Sequence, residues 1–145
     1  MIQIKGQSIQ SCLLEFLSEE EIKLDCTECG NNLATKKTEL VNEPSTLIIQ
    51  LKRYTYDIDK RKCIKIHDNI SCPKSLVMPS GISYTLSSIV NHIGDQPTEG
   101  HYNIVIYDKI DDCFVLLDDK NISVSDEMSP DINELCYVVI FTKDV

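Results

Sequence analysis

Tyr84-Thr85-Leu86-Ser87-Ser88-Ile89-Val90-Asn91-His92-Ile93-Gly94-Asp95-Gln96-Pro97-Thr98-Glu99-Gly100-His101-Tyr102 is the stretch on which the fold turns. Tyr84 to Val90 reads as one β-strand, and the glycine-bounded segment Gly94 to Gly100 reads as a polar loop. Tyr102 to Tyr107 alternates with a two-residue period, setting Tyr102, Ile104 and Ile106 on one face. Cys113 to Leu117 is a third strand. Leu135 to Phe141 is a fourth, too apolar to lie anywhere but the centre of a sheet. The second half of the chain is therefore a mainly antiparallel sheet, and the fold class is α+β.

The first half is more broken. Ser8 precedes Ile9, Cys12, Leu13, Phe16 and Leu17 at helical spacing, which predicts a short amphipathic helix capped by Ser8. Ser18 to Glu21 ends that helix or opens an acidic turn. Cys26-Thr27-Glu28-Cys29-Gly30 is a tight knuckle continued by Asn31-Asn32. Thr35 to Leu40 and Thr46 to Leu51 are expected strands, the second buried, with Lys52-Arg53-Tyr54-Thr55-Tyr56 continuing toward solvent. Ile64, Ile66 and Ile70 suggest further strand material. We expect one domain over residues 1–145, with the helix, knuckle and an arm in about 1–80 and the sheet in about 81–145.

The bulk numbers exclude some classes. The 145 residues suit one compact domain, and 42% hydrophobic content is enough for a core. A net charge of −9 with no Lys/Arg cluster argues against nucleic acid, whose phosphates need concentrated positive charge. An acidic surface suits a basic protein partner better. No apolar run approaches the roughly 20 residues that span a bilayer, and Met1 to Gln7 lacks the apolar core of a secretory signal. Seven cysteines, an odd number without framework spacing, point to reduced thiols in cytoplasm or nucleus.

A histidine after a glycine-bearing loop, with carboxylates returning beside it, has the form of a base with its orienting acid. A turn in Lys109 to Asp112 sets Asp118 opposite residue 103. Diagonal neighbours on one sheet face lie roughly 7–8 Å apart, so His101 and Asp118 share a face while Asp119 points away. A one-residue slip would exchange the two aspartates. The plain alternative is a strand-end histidine beside a polar turn.

Taken together, these residues resemble a family. Tyr84 to Gly94, then Glu99-Gly100-His101-Tyr102, Leu116-Leu117-Asp118-Asp119 and Cys136 to Phe141 resemble the histidine box of the ubiquitin-specific proteases. Cys26-x-x-Cys29 with Ala34 to Lys37 and Glu43 to Tyr54 resembles the family's second zinc knuckle and the strand that follows it. The resemblance implies the palm and partial fingers of a papain-like cysteine protease fold, with the thumb missing. It implies His101 as catalytic base and Asp118, or Asp119 after a register slip, as its orienting acid. It also implies that Asn91, His92, Gly94 and Gly100 belong to a loop lining the channel for the ubiquitin tail.

The family's nucleophilic cysteine box would lie upstream of Met1, and none of the seven cysteines sits in such a context. Cys26 and Cys29 supply one pair where structural zinc takes four ligands, so we expect no cofactor. Recruiting Cys63, Cys72 or His67 would need a fold-back. Three functions follow. The chain is the His/Asp half of a deubiquitinating thiol protease, completed by another polypeptide or a longer product. Alternatively, it is a pseudo-protease module that binds ubiquitin, a ubiquitinated protein or another partner. The third is a truncated, self-associating product without activity.

Overall fold

The computed structural model describes residues 1–144. In chain order the elements are β1 (Ile2–Gln3), α1 (Ile9–Leu17), β2 (Glu20–Lys23), β3 (Leu33–Lys36), β4 (Thr46–Lys52), β5 (Tyr54–Asp57) and β6 (Lys62–Lys65). They continue as β7 (Ser75–Val77), β8 (Ser83–Gln96), β9 (Glu99–Asp108), β10 (Cys113–Asp118), β11 (Asn121–Ser125), α2 (Ile132–Leu135) and β12 (Cys136–Lys143). One large sheet runs β1-β4-β12-β8-β9-β10-β11, with β7 on the early part of β8. Its pairings are antiparallel except β1 with β4. The fold is α+β and mainly antiparallel, with β12 central as its composition demands.

Local signals explain the helix. Ser8 and Ser11 exchange hydrogen bonds as a capping box, each side chain accepting the other's backbone N–H at 3.1 Å. Ile9, Cys12 and Leu13 turn the same face inward and are buried. Phe16, expected on that face, is 40% exposed because the final turn runs past the edge of the core. Ser18 caps the end, and Glu20–Lys23 forms a strand rather than an acidic turn. It pairs with Leu33–Lys36, so the strand expected over Thr35 to Leu40 lies earlier, and the Cys26–Cys29 knuckle tips this hairpin. Its side chains are mostly exposed, so the arm leans on its own ladder and not on the core.

The core lies against β4, β12 and β8, where Leu51, Tyr84, Leu86, Ile89, Val139 and Phe141 are all but sealed from water. Burying Phe141 contributes roughly 2–3 kcal/mol on transfer grounds. Inward positions on β12 run Cys136, Val139, Phe141, out of strict alternation because the pairing with β8 shifts register twice. Tyr84 is fully buried, and its hydroxyl donates to Pro44 O at 2.8 Å, fastening β8 to the turn before β4.

Arg53 corrects the sequence reading. Placed on a strand heading to solvent, it is 1% exposed. Its Nε donates to Cys136 O at 2.6 Å, one terminal nitrogen to Asp68 O at 2.7 Å, and the other to Asn133 O at 2.6 Å. The planar fork reaches carbonyls of the segment after β6 and of the α2–β12 junction, and this compensates its burial. Replacing it with Met removes the guanidinium donors from all three carbonyls, and Asn133 O keeps only the Ile70 N–H. We expect Arg53→Met to lower unfolding free energy by about 3 kcal/mol, read from the urea midpoint at unchanged slope.

Candidate active site

The β8–β9 hairpin carries the site. Its regular pairing runs to Ile93 opposite His101, then shifts, and Gln96 pairs with Glu99. Gly94 and Asp95 together face Gly100, a bulge one step before the histidine. The segment expected as a loop is thus strand on both sides of a Pro97-Thr98 turn. Two glycines make this feasible. Gly100 has φ +156°, and a Cβ there would overlap Ile93 O and His92 Nε2. Gly94 has φ +143°, and its Cβ would press within 3.1 Å of the Gly100 backbone. Asn91 and His92 lie in the strand itself, 2% and 3% exposed. The His92 ring packs on Tyr102, centroids 4.8 Å apart.

Across the sheet, β10 pairs with β9 so that Leu117 faces Ile104, which sets Asp118 across from Asn103. His101 and Asp118 meet on one face, Nε2 to Oδ1 at 2.5 Å. Asn103 adjoins that carboxylate and accepts from Asn91 Nδ2 at 2.9 Å, so a polar line runs from inside β8 to the histidine. Asp119 occupies the β10–β11 turn with φ +51°, close enough for the three ligand-type atoms to lie within 4.8 Å of one another. The structure therefore gathers His101, Asp118 and Asp119, with only Asp118 in direct contact. With Nε2 committed to Asp118, Nδ1 is the ring nitrogen left to meet a second group, and the side chain is 43% exposed.

The hydrogen bond to Asp118 raises the His101 pKa above its ordinary value, against partial desolvation and with help from the charges of Asp118 and Asp119. The same bond lowers the Asp118 pKa. His92 shifts the other way, because burial and the nearby Lys65 charge disfavour its cation.

The thiols lie elsewhere. Cys12, Cys72 and Cys136 are buried, and burial pushes the Cys136 thiol up to about 12 and the Cys72 thiol higher still. Cys113 is raised by desolvation and by Asp108 and Asp111. Cys26 is lowered by the backbone N–H groups of Cys29 and Glu28, the geometry of a metal knuckle. The knuckle closes through Cys26 N–H to Asn31 O at 2.8 Å and Gly30 N–H to Cys26 O at 3.0 Å. No third His, Cys, Asp or Glu ligand gathers with Cys26 and Cys29 among the described residues.

Proton NMR titration should place the His101 midpoint above ~6.5 and that of His92 below it. Asp118→Asn should bring His101 down toward ~6.5. Because the folded-state pKa is raised, the stability from this pair is full below the unfolded value and is lost as pH climbs through the folded one.

The family model described as ubiquitin carboxyl-terminal hydrolase matches residues 5–141. The chain is 30% identical to probable ubiquitin carboxyl-terminal hydrolase 8 of Schizosaccharomyces pombe, an alignment covering 97% of the chain and 31% of that protein. It is 28% identical to ubiquitin carboxyl-terminal hydrolase 4 of Arabidopsis thaliana, over 85% of the chain and 36% of the relative. Among solved structures it is similar to the SAGA DUB module of Ubp8, Sgf11, Sus1 and Sgf73 bound to monoubiquitin. That match has TM-score 0.75 and 25% identity, covering 99% of this chain and 34% of the other. The same module bound to ubiquitin aldehyde gives TM-score 0.75 at 24% identity, over 99% of this chain and 35% of that one. The chain spans about a third of the length of these proteins. With the match running almost end to end and the fold shared, the chain belongs to the ubiquitin carboxyl-terminal hydrolase family.

Proposed function

We propose that this chain supplies the proton-handling half of a cysteine-type deubiquitinase site, with His101 as general base and Asp118 as its orienter. The observation that carries this is the 2.5 Å contact of His101 Nε2 with Asp118, which fixes the tautomer and leaves Nδ1 of a part-exposed ring for a second group. A thiol brought to Nδ1 from residues outside this chain would lose its proton to the ring. The thiolate then attacks the carbonyl of ubiquitin's terminal glycine, and the imidazolium returns the proton to the departing amine. In the second half His101 takes a proton from water, which releases the acyl group. Asp118 stays ionised throughout and holds the ring. Asp119 contributes charge from the turn.

The likeness to a module bound to monoubiquitin supports ubiquitin, free or conjugated, as the partner. In this reading the hairpin of Gly94 and Gly100 borders the channel for the ubiquitin tail. Asn91 and His92, sealed in the strand, support that wall from behind. The exposed thiols of Cys26, Cys29 and Cys63 suit a reducing compartment, cytoplasm or nucleus. No helix among the described residues is long and apolar enough to cross a membrane.

A second reading, a ubiquitin-binding module without catalysis, is favoured by the distribution of the thiols, three buried and none grouped with His101 and its aspartates. Ubiquitin carrying a C-terminal fluorophore separates the two. The chain alone should bind it without release of the dye. Adding the thiol-bearing segment of a family member should restore release, and His101→Ala should then cut turnover by about 10²–10⁴-fold while binding persists. Release by the chain alone, or full turnover by the alanine variant, would overturn the assignment. Binding that persists while no thiol-bearing segment restores turnover would favour the second reading.

A further inference from the structure

Lys65 is the last residue of β6 and belongs to the small β5–β6 sheet, yet its side chain leaves that sheet and is 7% exposed. A buried ammonium is costly unless its protons are taken up. Nζ donates to His92 O and to Gly94 O, each at 2.7 Å, and no carboxylate pairs with it among the described residues. Both acceptors belong to β8, at the bulge that precedes His101.

The direction of those carbonyls shows what the ammonium replaces. Ile93 O faces Gly100 on β9, as the overlap with a Cβ there demonstrates. Backbone carbonyls alternate along a strand, so His92 O and Gly94 O face the opposite edge. On that edge β12 is the neighbour, but β12 begins at Cys136, opposite Asn91. Among the described residues no strand pairs with that edge beyond Asn91, so its carbonyls have no ladder donor there.

We propose that Lys65 is a positioning residue of the candidate site, its ammonium standing in for two rungs of the missing strand and holding the bulge that aims His101 at Asp118. The ammonium touches neither the imidazole nor the carboxylate and acts through the backbone of residues 92–94. The His92 ring lies against the Glu99 backbone on the other side, so the bulge is gripped at both edges. This deepens the reading of His101 as a base and rests on it. The experiment reads geometry in the chain itself, so failure of ubiquitin binding or hydrolysis would leave its outcome intact.

The experiment is an NMR titration of His101 in the full chain carrying Lys65→Met, Lys65→Gln and Lys65→Arg, with amide exchange followed in parallel. Loss of a positive charge acting through space would raise a histidine pKa, so a fall reports a loosened contact with Asp118. In the Met and Gln variants the midpoint should drop toward ~6.5. Amides of residues 92–101 should exchange at least about 10-fold faster while β12 and β4 keep their protection. Lys65→Arg, which keeps a cation with several donors, should restore both readings. An unchanged or raised midpoint would overturn the proposal. So would loss of protection across the whole sheet, since Lys65 would then be a general support of the fold.

Discussion

The buried guanidinium of Arg53 is the constraint on which the rest of the structure depends. It bonds to the carbonyls of Asp68, Asn133 and Cys136, and so joins the end of β4, the segment after β6 and the junction of α2 with β12. Asn133 O also accepts from Ile70 N–H at 2.8 Å, and the guanidinium adds a second donor there while serving the Asp68 and Cys136 carbonyls in a largely dry interior. The same side chain holds the first residue of β12. Where β12 starts decides how much of β8 is flanked on that side, and the unflanked remainder carries the bulge and pairs with the β9 residues around His101. Lys65, paired across β5–β6 with Tyr54, repeats the device, again a cation resting on carbonyls.

The sheet turns this anchoring into chemistry by alternation. On β9, His101, Asn103 and Val105 share a face, and β10 presents Phe114, Leu116 and Asp118 to the same side. Val105 and Phe114 are buried at one end of that face, and the imidazole and carboxylate stand at the more open end. The apolar end fixes the register through burial, since a slip by one residue would expose it. Hydrophobic packing thus selects Asp118 over Asp119 at a point where both are acidic and adjacent.

What could be read from the sequence was local. Ser8 as a cap, the central position of the last strand, the knuckle at Cys26 and the pairing that sets Asp118 across from Asn103 all rest on short-range pattern. Arg53 was misread because a charged residue after a strand signals solvent unless its partners are known. Those partners are backbone carbonyls up to 83 positions away, which carry no side-chain signature. The run through Gly94 resembled a loop because glycine and polar residues mark loops. The same glycines instead permit a close backbone approach inside a hairpin. β11 escaped notice since every residue from Asn121 to Ser125 is exposed and no burial pattern marks it.

The contact between residues 101 and 118 spans only 17 positions, within two adjoining hairpin strands. Closing so short a chain segment costs little entropy, and Lys65 braces the bulge beside it. The His101–Asp118 contact is thus complete within one short stretch of chain. In the proposed reading, a thiol brought from residues outside this chain would meet a pair already in contact. Division of the two roles between separately made pieces would accordingly be a matter of affinity, not of folding.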